Sequence, residues 1–150
     1  MDKYLFDVPI SLHIFNRPNT TNKVFEVIWK IKPKQLFITA DGAREGKPND
    51  TKDCMATCSI INKIDWECEI YKNYSDVNKG SFRSTSEGIT WVFKHVDKAI
   101  ILEDDYVPHD SFFEYCDDLL KYYEHDTRIA LISGNNFQLE ENKTKDSYYF

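Results

Sequence analysis

The chain has 150 residues, of which 41% are hydrophobic and 15% aromatic, so it is large enough for one globular domain with an apolar core. Its formal net charge of −6 argues against a general surface for nucleic acid or anionic membranes, because both require a basic face. We find no signal-peptide pattern and no apolar run near the ~20 residues that span a bilayer. The sequence therefore predicts a cytoplasmic protein without a transmembrane segment, with any membrane association arising through partners.

The first forty residues predict a βαβ unit. Residues Pro9 to Phe15 are apolar with β-branched side chains and predict the first strand. A helix capped by Thr20 or Thr21 follows, because apolar residues then recur at helical spacing until Pro33. Residues Gln35 to Ala40 predict the second strand.

The middle of the chain predicts a second helix and a short third strand. Residues 43–50 are polar and are interpreted as a surface loop, after which Thr51 caps the helix. The residues expected to face inward are Met55, Cys58, Ile61 and Ile64. Residues Cys68 to Tyr71 predict the third strand, and residues 72–81 predict a loop.

The remainder of the chain continues the alternation of helices and strands. A capping box at Ser84–Glu87 predicts the start of a third helix, and Ala99–Leu102 predicts a strand that is buried on both faces. A fourth helix is expected from Ser111 to Glu124, a fifth strand at Ile129–Ile132, and a charged loop at residues 138–147. The fold class is therefore α/β, a single Rossmann-like, doubly wound domain with a mostly parallel sheet in three α/β/α layers.

Three consecutive carboxylates, Glu103, Asp104 and Asp105, follow the central strand. They repel one another, so a nearby cation would stabilise them. Ligands of open α/β sheets lie beyond the carboxyl ends of the strands, and Mg²⁺ and Mn²⁺ prefer carboxylate and phosphate oxygens. A divalent metal held by Asp105 is one interpretation; three acids that simply begin a solvated loop are the other.

Two other strand ends carry polar side chains. Asn16 and Arg17 follow the first strand, and Asp41 follows the second. The sequence has neither the dinucleotide fingerprint nor a Walker loop, so phosphates would have to be neutralised by a metal together with a cation such as Arg17 or Lys79. Alternatively, Arg17 is a surface cation and Asp41 only a turn residue.

The segments IFNRP, TADG and AIILEDDYVPHDSFFEYCDDLL resemble the nucleotide-sugar-binding half of GT-A glycosyltransferases. Within that fold they are most similar to Golgi-type N-acetylglucosaminyltransferases that act on mannose of N-glycans. The resemblance implies a UDP-sugar donor, with Arg17 and Asp41 at the uridine and Asp104 near the ribose. It also implies that Asp105 ligates Mn²⁺ and that Glu103 faces the metal-bound water or the sugar.

The expected function is thus transfer from a UDP-sugar, UDP-GlcNAc being favoured, to a glycan acceptor with the help of Mn²⁺ or Mg²⁺. No residue of the sequence can be assigned as the catalytic base, which in the resembling family lies in a second half. The chain would then bind the donor but transfer sugar poorly, and exposed apolar residues would favour a homo-oligomer. The alternatives are a catalytically silent nucleotide-sugar-binding module and a sugar-phosphate nucleotidyltransferase.

Overall fold

The computed structural model of the chain describes residues 5–135, and the predictions made for residues 138–150 lie outside this range. Within these residues, four parallel strands form one sheet in the order β3-β2-β1-β4. Their bounds are β1 Ile10–Ile14, β2 Gln35–Ala40, β3 Glu69–Tyr74 and β4 Ile100–Glu103. The helices are α1 Pro18–Ile31, α2 Asp50–Ser59, α3 Ser81–Val92 and α4 Ser111–Tyr122, with a 3-10 turn at Ile60–Lys63. The predicted α/β class and the parallel sheet are confirmed.

Alternate residues of the strands face two helical layers. Leu36 and Ile38 of β2 pack in the main core with Phe25 of α1, and this core also contains residues of α4. On the opposite face, Phe37 lies 5.6 Å from Trp91 of α3 between ring centroids. Helices therefore cover both faces of the sheet, as the doubly wound prediction requires.

The order of the strands creates a topological switch point between β1 and β4. The chain runs outward from β1 to β2 and β3, and then returns across the sheet to place β4 on the other side of β1. Crevices that bind ligands in open α/β sheets open at such points. The three carboxylates Glu103–Asp105, which we call the acidic turn, begin at the last residue of β4, so the fold places them at this position. No helix in residues 5–135 is long and apolar enough to cross a membrane.

The predicted fifth strand at residues 129–132 is wrong. These residues form no strand, and the Leu131 side chain is 85% exposed. The apolar run resembles a strand locally, but the backbone instead follows a turn in which the amide of Ile129 donates to the carbonyl of Asp126. A β-type run needs a neighbouring strand, and within the described residues β4 pairs only with β1.

Other boundaries also differ from the prediction. Strand β3 extends to Tyr74, through residues that were interpreted as a loop. Met55 does not face inward: its side chain is exposed, and the buried residues of α2 are Asp50 and Thr57. The caps predicted for the first three helices are absent: α1 begins at Pro18, and α2 and α3 begin without a side-chain cap hydrogen bond.

Helix α3 approaches the sheet most closely at Gly88, and an added side chain is expected to disturb the contact. A Cβ at Gly88 would lie 2.7 Å from Cγ2 of Thr39 and 2.8 Å from Cε1 of His13. Although alanine is the better helix former, we expect Gly88→Ala to lower the free energy of unfolding by about 1–3 kcal/mol through overpacking. Urea unfolding measures the change, with the exposed Ser86→Ala as control. A Gly88→Ala chain as stable as the wild type would contradict this packing.

Candidate functional site

A cleft of about 260 Å³ lies at the carboxyl ends of β1, β2 and β4. These strands end at Ile14, Ala40 and Glu103, and their register places Glu103 directly beside His13. The N-terminal part of α3 and the loop before it close the opposite wall. The predicted residues that line the cleft are Arg17, Asp41, Glu103 and Asp104. The parallel sheet thus brings together groups that are distant in the sequence.

Arg17 joins the acidic turn to the end of β1. Its Nη2 lies 3.0 Å from Oδ1 of Asp104, and its Nη1 donates a hydrogen bond to Oδ2 of Asp105. The Arg17 side chain is half exposed, and that of Asp105 is 42% exposed. Arg17 therefore compensates the acidic turn in this structure, whereas the sequence suggested it as a cation that neutralises phosphates.

Asp104 is the buried member of the acidic turn. Its side chain is 4% exposed, and its Oδ2 accepts a hydrogen bond of 3.1 Å from the backbone amide of Phe15. Burial raises the pKa of Asp104 above its usual value, while Arg17 and the Phe15 amide act in the opposite direction. Asp104 therefore links the ends of β1 and β4, whereas Glu103 and Asp105 are exposed beside it.

Asp41 anchors the loop that precedes α3. One carboxylate oxygen accepts hydrogen bonds from the amides of Gly42 (3.0 Å) and Lys79 (2.8 Å). The other accepts from the Asn78 side chain and from the amide of Gly80, both at 3.1 Å. A carboxylate offers about four lone-pair sites, so protein donors fill them here. The uracil contact that the resemblance implies would have to replace one of these bonds, and it stays a prediction.

A second arginine in the cleft was not identified from the sequence. Arg44 forms a fork with Asp50, its Nε lying 2.6 Å from Oδ2 and its Nη2 3.0 Å from Oδ1. Its guanidinium carbon lies 5.4 Å from the centroid of the Phe15 ring. Asp50 is 5% exposed and also accepts a hydrogen bond from the side-chain amide of Asn16. The predicted residue Asn16 therefore supports the wall of the cleft and does not line it.

We expect Arg44→Gln to change the titration of Asp50. Hydrogen bonding by Arg44 lowers the pKa of Asp50 to about 2, below the value of about 3.9 for an unperturbed aspartate. This pair therefore stabilises the fold above about pH 4, and the contribution is lost as the pH falls towards 2. In Arg44→Gln the pKa should rise and the loss of stability below pH 4 should be smaller.

Carboxyl NMR of Asp50 and urea unfolding at pH 6 and pH 3 measure these two effects. Lys52→Gln serves as the charge-matched control, because Lys52 is an exposed residue of the same helix. Lys52→Gln should leave the pKa of Asp50 unchanged. An unchanged pKa in Arg44→Gln would show that the fork does not control this carboxylate.

The floor of the cleft contains two buried polar atoms without a protein partner. Within the described residues, Nδ1 of His13 and Oγ1 of Thr39 accept or donate no hydrogen bond. The two residues are paired in the β1–β2 register and are 7% and 4% exposed. Burial lowers the pKa of His13 to about 4, so the ring is neutral at pH 7. Unpaired buried polar groups are uncommon, and here both residues line a cleft.

The donor set fits a hard cation only with help from a ligand. Residues 5–135 contain no cluster of three or more His, Cys, Asp or Glu that could hold a metal ion. Glu103 lines the cleft, whereas the predicted ligand Asp105 does not; both carboxylates are exposed and stand two positions apart in the acidic turn. Mg²⁺ is commonly held by one or two carboxylates together with water and substrate phosphates, so two carboxylates suffice when a phosphate supplies the other oxygens. Lys79, the other candidate cation, pairs instead with Glu87 at 2.9 Å.

Comparison with known proteins gives no relative on which a function can be based. No protein-family model matches the sequence, and neither a curated protein nor a solved structure is significantly similar to the chain. A function can therefore be proposed only from the geometry and charges of the cleft and from the sequence motifs at the strand ends.

Proposed function

We propose that this chain binds a UDP-sugar, UDP-GlcNAc being favoured, together with Mn²⁺ or Mg²⁺, as the donor-binding part of a glycosyltransferase. The observation that carries the proposal is the acidic turn Glu103–Asp105 at the topological switch point of a parallel sheet. Glu103 and Asp104 line the cleft there, and the exposed Asp105 follows them. The choice of UDP and of a sugar comes from the resemblance of the IFNRP, TADG and LEDD segments to GT-A glycosyltransferases.

The charges of the cleft support the participation of a divalent cation. Two arginines, Arg17 and Arg44, face three carboxylates that line the cleft, which gives a net charge of −1 before Asp105 is counted. A nucleoside diphosphate is itself an anion and would enter a region of like charge. With Asp105 counted the net charge is −2, which a divalent cation at Asp105 and Glu103 neutralises. The preference of such a cation for carboxylate and phosphate oxygens matches both partners.

The residues of the chain have separable roles in this proposal. Asp105 and Glu103 hold the cation, which when bound stabilises the charge that develops on the departing diphosphate. Asp41 holds the loop of residues 78–80 in place as one wall of the cleft. His13 and Thr39 offer unpaired polar atoms at the floor. No described residue is assigned as the base that deprotonates an acceptor.

Calorimetric titration with nucleotides tests the proposal. UDP and UDP-GlcNAc should bind in the presence of Mn²⁺ at least about tenfold more tightly than in EDTA. GDP and ADP serve as matched controls, because they carry the same diphosphate on a different base and should bind more weakly. Absence of UDP binding at any Mn²⁺ concentration would refute the function, and equal affinity for all three nucleotides would refute the preference for uridine.

A further inference from the structure

We propose that Arg17 is an exchangeable counterion: it holds Asp105 in the ligand-free chain and transfers to the diphosphate when a divalent cation takes its place. This inference rests on the proposed function and adds that the binding of the cation and the binding of the nucleotide are coupled. Arg17 is the residue that couples them.

The geometry places Arg17 in direct competition with a cation at Asp105. The Nη1 group of Arg17 donates a hydrogen bond to Oδ2 of Asp105, while Nη2 lies 3.0 Å from Oδ1 of Asp104. Both terminal nitrogens of the guanidinium are therefore committed to the acidic turn. A divalent ion that approaches Asp105 meets this positive charge and must displace it.

The two contacts of Arg17 differ in how easily they break. The Asp105 side chain is 42% exposed, and exposed ion pairs contribute little to stability because water replaces them readily. Asp104 is 4% exposed, and removing a partner from a buried carboxylate is strongly unfavourable. Arg17 should therefore keep its contact with Asp104 and release Asp105, so that Nη1 turns towards the ligand.

Neither ligand alone provides a satisfactory arrangement of charges. A cation by itself at Asp105 leaves the displaced Nη1 group next to a divalent charge with no anion to bind. A diphosphate by itself draws Nη1 of Arg17 away from Asp105 and leaves the carboxylates of Asp105 and Glu103 uncompensated. When both bind, the cation compensates the acids and the diphosphate receives Arg17, so each ligand raises the affinity of the other by the same factor.

Metal titrations without nucleotide test the exchange separately from the proposed function. Removing the competing charge in Arg17→Gln should make Mn²⁺ alone bind about tenfold more tightly than it binds the wild type. UDP should then raise the Mn²⁺ affinity much less in Arg17→Gln than in the wild type. Arg83→Gln is the matched control, since Arg83 is an exposed arginine that pairs with Glu87 outside the cleft.

A measurement on the wild type covers the case in which Arg17→Gln fails to fold. The side-chain NMR signal of Arg17 should change little with Mg²⁺ alone and should shift when Mg²⁺ and UDP are added together. An Mn²⁺ affinity of Arg17→Gln equal to that of the control, or an Arg17 signal unmoved by both ligands bound together, would overturn the exchange. If the wild type binds no UDP, the proposed function fails, and the titration with Mn²⁺ alone still decides whether Arg17 competes for Asp105.

Discussion

Replacing Asp105 with asparagine is expected to remove the Mn²⁺-dependent gain in UDP affinity, a loss of at least about tenfold, while the fold remains intact. The amide keeps the shape of the side chain but lacks the charge that holds a hard cation. Because the side chain is 42% exposed and one of three clustered acids, the free energy of unfolding should change by no more than about 0.5 kcal/mol. Calorimetry in Mn²⁺ and in EDTA, together with urea unfolding, measures both quantities.

Asp110→Asn is the matched control for this experiment. Asp110 is an exposed carboxylate five positions further along the chain, and its nearest cation is Lys30 at 3.8 Å. It should leave the Mn²⁺ dependence unchanged, because it is not part of the acidic turn and pairs with Lys30 rather than with Arg17 of the cleft. If Asp105→Asn also retained the full Mn²⁺-dependent affinity for UDP, Asp105 would not be the ligand of the metal.

Replacing Asp41 with alanine is expected to destabilise the chain by about 3 kcal/mol and to abolish nucleotide binding. The substitution leaves three backbone amides and the Asn78 side chain without their common acceptor, and hydrogen bonds to charged groups contribute about 1.5–3 kcal/mol each. Water can satisfy some of these donors, so the loss is less than their sum. Urea unfolding and UDP titration below the unfolding transition measure the two effects.

Asp76→Ala is the appropriate control, because Asp76 is an exposed aspartate in the same connection between β3 and α3. It should be nearly neutral for stability and for UDP affinity. Asp41→Asn retains one acceptor oxygen and should lie between the wild type and the alanine variant. An alanine variant with unchanged stability would mean that the loop does not depend on Asp41.

The apolar periodicity of the sequence was sufficient to predict most of the fold. Strand β2 and helix α1 have clear patterns, because each faces a core on at least one side. Strand β3 was predicted too short, since its residues are mostly exposed or half-buried and its polar side chains resemble a loop. The error at residues 129–132 is the converse: an apolar run resembled a strand, but no neighbouring strand pairs with it among the described residues.

The candidate site was predictable where it follows the ends of strands. Arg17, Asp41 and the first two residues of the acidic turn line one cleft because parallel strands end at the same edge of the sheet. Arg44 and Asp50 were not predicted, since their pairing depends on how the loop after β2 folds back onto the start of α2. An arginine and an aspartate six positions apart in a polar segment suggest an ion pair but do not establish one.

The position of the bound cation tests the central claim most directly, and paramagnetic broadening of amide NMR signals by Mn²⁺ in the presence of UDP measures it. We predict that the signals of residues 15–17, 78–81 and 103–106 broaden first. Signals at the opposite edge of the sheet, where the strands begin at Gln35, Glu69 and Ile100, should stay sharp. Broadening centred elsewhere, for example on Asp117 within α4 or on Asp126 after it, would contradict a metal-assisted nucleotide site at the acidic turn.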